Sequence, residues 1–153
     1  MRILTAVLVI ACLGVTLAAQ GNAATLQQKE KDKILAEKAK EVQTELQKVQ
    51  YKAKVDIPAV DCIFVQDGKI IQGMFQSYLR DNPKALAAGA TTKVSKVNVM
   101  EQGVQIYLAN DSFAIIAVTS TPVNSLEASA KDLTELAKKA IGALLQIATE
   151  EAK

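Results

Sequence analysis

Residues 91–119 read TTKVSKVNVMEQGVQIYLANDSFAIIAVT, and their patterning decides the fold. Val97 and Val99 alternate with Lys96 and Asn98, and Val104, Ile106 and Leu108 alternate with Gln105 and Tyr107. A period of two puts successive side chains on opposite faces of a strand, so each run has one apolar and one polar side. Gly103 falls in the first break and Asn110-Asp111 in the second, ahead of the nearly all-apolar run 113–119. Three such runs with short breaks predict an antiparallel meander, its last and most apolar strand central.

Upstream, Cys62-Ile63-Phe64-Val65 and Ile70-Ile71 flank Asp67-Gly68, a dipeptide that supplies the positive φ of a tight hairpin. The total is five strands, expected to form a small antiparallel sheet or a partly open barrel. Between hairpin and meander, Asn82-Pro83 followed by the run to Gly89 predicts one short helix, with Asn82 as N-cap and Gly89 as its stop.

Downstream, residues 124–148 read as a helix. Leu126, Ala130, Leu133, Ala137, Ala140, Leu144 and Ile147 form one stripe, which Leu136, Ile141 and Leu145 broaden into a core-facing surface. Asn124 or Ser125 can cap it. Gly142 costs such a helix about 1 kcal/mol relative to alanine, and its missing side chain suggests close packing. A small sheet on its own buries too little surface to be stable. Packing the C-terminal helix on it satisfies both, which predicts an α+β domain over residues 55–153.

A long amphipathic helix is expected before it, over residues 24–54. Leu35, Ala39, Val42, Leu46, Val49 and Ala53 recur at spacings of three and four, a 3.5-residue period of coiled-coil type. The stripe is narrow, and Glu37, Glu41 and Glu45 stack like charges on one face. Such a helix needs a partner, so Leu35, Val42, Leu46 and Val49 are the expected interaction residues, toward another protein or a second copy.

The chain opens with a basic start at Arg2, an apolar run over residues 3–19, and small residues Gly21 and Ala23. This three-part pattern predicts a secretory signal peptide over residues 1–23. The mature chain would be exported to the periplasm or beyond, with no stable membrane span. Two alternatives are an uncleaved anchor and lipidation at Cys12, which follows Val9-Ile10-Ala11.

Composition removes many chemistries. The 153 residues include no histidine, the commonest general base and metal ligand. Cys12 would leave with the signal, and Cys62 alone forms neither a disulfide within the chain nor a thiolate metal site. Cys62 itself reads as a small apolar residue of a strand. Eighteen basic against sixteen acidic residues give no single-sign field for a nucleic acid. Asp56, Asp61, Asp67, Asp81, Glu101 and Asp111 are the remaining catalytic candidates, and Asp67 and Asp111 are accounted for by turn chemistry.

No catalytic, metal or cofactor site is therefore expected. The reading is an exported, non-enzymatic cell-envelope protein that acts through protein contacts or oligomerisation. The alternative is a small ligand-binding module with a cleft near Phe75, Tyr78 and Arg80, where an aromatic and an arginine fall close together.

Overall fold

The meander and the hairpin meet in one sheet. The computed structural model describes residues 3–109 and 111–148, with side chains from residue 24 onward. Its elements run α1 (Ile3–Leu46), β1 (Tyr51–Ala53), β2 (Ile57–Pro58), β3 (Cys62–Gln66), β4 (Lys69–Ile70), α2 (Gln72–Asp81), β5 (Lys84–Leu86), β6 (Thr91–Thr92), β7 (Val94–Met100), β8 (Gly103–Leu108), β9 (Phe113–Val118), α3 (Ala130–Leu144) and β10 (Leu145–Ile147). The five expected strands form one sheet in the order β4-β3-β9-β8-β7.

Hairpin β3–β4 turns at Asp67 (φ 51°) and Gly68 (φ 75°), the left-handed pair that such a tight turn demands. The sheet is mixed, not purely antiparallel, and it does not close into a barrel. Strands β7, β8 and β9 run antiparallel, whereas β3 pairs parallel with β9, Ile63 opposite Ile115 and Val65 opposite Ala117. Parallel neighbours cannot be joined by a tight turn and need a long crossover, here everything between β3 and β9.

Register places Ile63, Val65, Ile115, Ala117, Val104, Ile106, Val97 and Val99 on one face, and all of them are buried. Helix α3 packs on the sheet with Leu133, Ala137, Ala140, Ile141 and Leu144 buried. It is shorter than the predicted 124–148. It begins after Ser129, whose Oγ accepts from the Asp132 amide while the Ser129 amide donates to the Asp132 carboxylate. That reciprocal box starts the helix more firmly than Asn124 or Ser125 would. After Leu144 the backbone extends into β10, because Leu145, Gln146 and Ile147 pair with β1.

Helix α1 also departs from expectation. Its backbone is helical across the predicted cleavage point, while the side chains of residues 1–23, and with them the signal-peptide and Cys12 readings, lie outside the described residues. It stops at Leu46, not 54. Tyr51 and Ala53 are buried in β1, between β10 and β6, and that ladder outweighs continuation of the 3.5-residue period. The chain divides into two units, Met1–Ile34 and Leu35–Lys153. The end of α1 thus belongs to the body, upstream of the boundary at 55 that the sequence suggests.

The predicted helix after Pro83 is absent. Helix α2 lies just before it, with Phe75, Tyr78 and Leu79 spaced for one helical face. Asn82 closes its C-terminus by donating its amide to the Tyr78 carbonyl at 3.0 Å. Lys84–Leu86 instead forms β5, paired with β2.

Among the residues described with side chains, no helix is long and apolar enough to cross a membrane.

Candidate functional site

The expected interaction residues have work inside the chain. Val42 and Leu46 are fully buried, and Leu35 and Val49 pack half-buried against the same core. Neighbouring polar side chains add to this anchorage. Gln43 Oε1 accepts from the Val97 amide at 3.1 Å, and Gln47 Nε2 donates to the carbonyls of Val94 and Ser95. These bonds occupy backbone groups on β7, an edge strand that would otherwise be open to pairing.

Of the expected cleft residues, Phe75 and Tyr78 share one crevice and Arg80 stands apart from it. Phe75 is buried core. The crevice it shares with Ile63, Phe64, Ile70, Ile71, Met74 and Tyr78 has no room for a water molecule. Arg80 lies in solvent and pairs with its neighbour Asp81 at 2.8 Å. Tyr78 lines an open depression of about 430 Å³ with Ala59, Val60, Asp61, Cys62 and Asn82, none of them fully buried. The Cys62 thiol is free and half-buried there.

Most of the carboxylates weighed for catalysis serve structure. Asp56 pairs with Lys84 at 2.7 Å and accepts from the Ala88 amide, and those contacts hold its pKa below the ordinary carboxylate range. Asp67 accepts from the Ser120 amide, and Asp111 from the Ser95 hydroxyl. Among the described residues, no three acidic or cysteine side chains gather as a metal site would require.

A better-formed cavity lies where the ends of α1 and α3 meet β1 and β10. It holds about 410 Å³, within the range of small-molecule sites. Tyr51, Ile141 and Leu145 are its buried floor, and Val49 and Ile147 are apolar walls. Ile147 is 61 % exposed, a large apolar side chain left facing this opening. Tyr51 donates its hydroxyl to the Leu46 carbonyl at 3.2 Å, satisfying one of the open carbonyls at the end of α1. Burial, with the Glu45 charge second, raises the pKa of this phenol.

Glu45, Lys48, Lys138 and Gln146 supply the polar lining. Glu45 bonds Lys48 and lies 4.0 Å from Lys138, and the Lys48 hydrogen bond and charge lower its pKa. Gly142 completes the wall. A Cβ placed there would meet nothing within 4 Å, so close packing within the chain does not explain this glycine. It leaves that stretch of the lining without a side chain.

None of the cavity's lining was expected as a binding surface except Val49. Its walls come from positions 45–51 and 138–147, and no local pattern links segments so far apart. The one available signal was Gly142, a helix breaker inside an otherwise good helix. No protein-family model, curated protein or solved structure matches the chain.

Proposed function

We propose that the chain is an exported, non-enzymatic protein of the cell envelope whose work is binding, with the cavity between α1, α3, β1 and β10 as the binding site for a small apolar molecule. The observation that carries this reading is the cavity itself: an apolar floor of Tyr51, Ile141 and Leu145 within a lining that has no side chain at Gly142. The structural engagement of Asp56, Asp67, Asp81 and Asp111 and the absence of histidine favour binding over bond-making. Export rests on the three-part pattern of residues 1–23. The neutral fluorescent probe N-phenyl-1-naphthylamine tests the site. Binding that Gly142→Leu abolishes supports it, and equal binding by both proteins, or by neither, overturns it.

A second reading, contact with another protein, moves to residues 24–34 of α1. All of their side chains are exposed, Leu26 at 66 %. A polar helix of this kind gains little from its own sequence and is stabilised by what it meets. Crosslinking of the full chain at Leu26→Cys would capture that partner, and its absence would remove the reading.

A further inference from the structure

The cavity has a chemical polarity. Its floor is hydrocarbon and phenol, while its mouth carries two ammonium groups, Lys48 and Lys138, against one carboxylate, Glu45. Lys138 also pairs with Glu135 outside the lining, so the rim is close to neutral, but its lining presents two ammonium groups and a single carboxylate to the apolar hole. On the other side of Glu45 and Lys138 lies a second depression of about 320 Å³, lined also by Glu41, Lys131, Thr134 and Glu135. There three carboxylates, Glu41, Glu45 and Glu135, face two ammonium groups, Lys131 and Lys138, which disfavours an anion on that side.

Resting on the binding function proposed above, we infer that the cavity takes a free single-chain monocarboxylate, its tail on Tyr51, Ile141 and Leu145 and its carboxylate between Lys48 and Lys138. Glu45 occupies the place of that headgroup in the unliganded protein. The exchange is chemically conservative: one carboxylate leaves the two ammonium groups and another arrives, so neither lysine is left unpaired. It is also cheap, because exposed ion pairs such as these contribute little to stability. Lys138 is shared with Glu135 at 3.3 Å, whereas Glu45 is the carboxylate bonded to Lys48. Lys48 is therefore the stronger determinant.

A cationic amphiphile fits less well. It would have to displace Lys48 from Glu45 and strand that ammonium group beside its own. A neutral amphiphile gains the floor but nothing at the mouth. Lipid in a bilayer offers the same headgroup chemistry, but its tails are shared with neighbours and would have to leave them to enter a cavity of this size.

The test uses the full chain with decanoate and decanol, measured by calorimetry and by displacement of N-phenyl-1-naphthylamine. Decanoate should bind about two- to fivefold more tightly than decanol, the range an exposed ion pair supplies. Glu45→Gln should widen that preference by a similar factor, since the internal competitor is gone. The double variant Lys48→Met, Lys138→Met should abolish the preference while still binding decanol, and retained decanol binding shows that the variant is folded. Equal affinity of the two ligands for the wild-type protein overturns the headgroup assignment and leaves the apolar site intact. Failure of decanol and decanoate alike to bind removes the site itself. Sedimentation with phosphatidylglycerol vesicles, without binding of free decanoate, would assign the mouth to a membrane surface and overturn the proposal.

Discussion

Lys38 holds Ser125 in place: its ammonium donates to the Ser125 carbonyl at 2.8 Å, and also to the carbonyls of Leu126 and Ala128 at 2.7 Å each. Ser125 is fully buried, its amide donates to the Glu101 carbonyl, and its hydroxyl accepts from the Gly103 amide. One residue thereby ties the end of α1, the β7–β8 turn and the approach to α3.

Three converging carbonyls suit the three donors of an ammonium, and leaving them without a partner is costly. Lys38→Met should lower stability by about 1–3 kcal/mol, the worth of charged hydrogen bonds. Arginine, with its planar fork, should restore only part of that. Urea unfolding of the three proteins measures it, and an unchanged midpoint for Lys38→Met would show that solvent serves the loop equally well.

Leu46 and Leu26 sit on the same helix with opposite surroundings. Leu46 is fully buried, so Leu46→Ala should cost about 2–5 kcal/mol. Leu26→Ala should stay within about 0.5 kcal/mol of the parent, as exposed substitutions do. Thermal unfolding compares the two.

Gly142 is the cavity wall least suited to its helix. Since a Cβ there meets nothing, Gly142→Ala should stabilise the chain by about 0.4–1 kcal/mol through the unfolded state. A destabilised alanine variant would reveal a packing role that the geometry does not show.

Acid should loosen α3 at its start. The Asp132 carboxyl is held below its ordinary pKa by the Ser129 side chain first and the Ser129 amide second. A group with a lowered folded pKa lends stability that is complete above its unfolded value, about 4, and is lost as pH falls through the folded one. Asp132→Asn should therefore flatten the fall in melting temperature below about pH 4, and Ser129→Ala should cost about 1 kcal/mol at neutral pH. Parallel melting curves for Asp132→Asn and the parent across that window would discount the box.

How far the fold could be read depended on whether the deciding interactions were local. The Asp67-Gly68 hairpin and the β7–β9 meander announce themselves because turn chemistry and alternation act over a few residues. The parallel pairing of β3 with β9 does not. The apolar run in β9 carries no direction, although its freedom from polar alternation is what a strand flanked and covered on both sides looks like. Helix α2 was obscured because Asn82-Pro83 and Gly89 drew the helix to the wrong side of Phe75 and Tyr78. In α1, a 3.5-residue stripe identifies a surface that must be covered but not by what, and the cover is this chain's own core. The cavity was the least legible feature, since Glu45 and Lys138 stand far apart along the chain and meet only after folding.

The glutamines at 43 and 47 make the end of α1 a guard as well as a support. A protease that removed everything before residue 50 would unmask β7 at Val94, Ser95 and Val97 and open the greasy layer that Val42 and Leu46 had sealed. Such a remnant would be a template for growth, adding copies strand to strand until it came out of solution. Any processing of the amino terminus that preserves the protein must stop well short of Leu35.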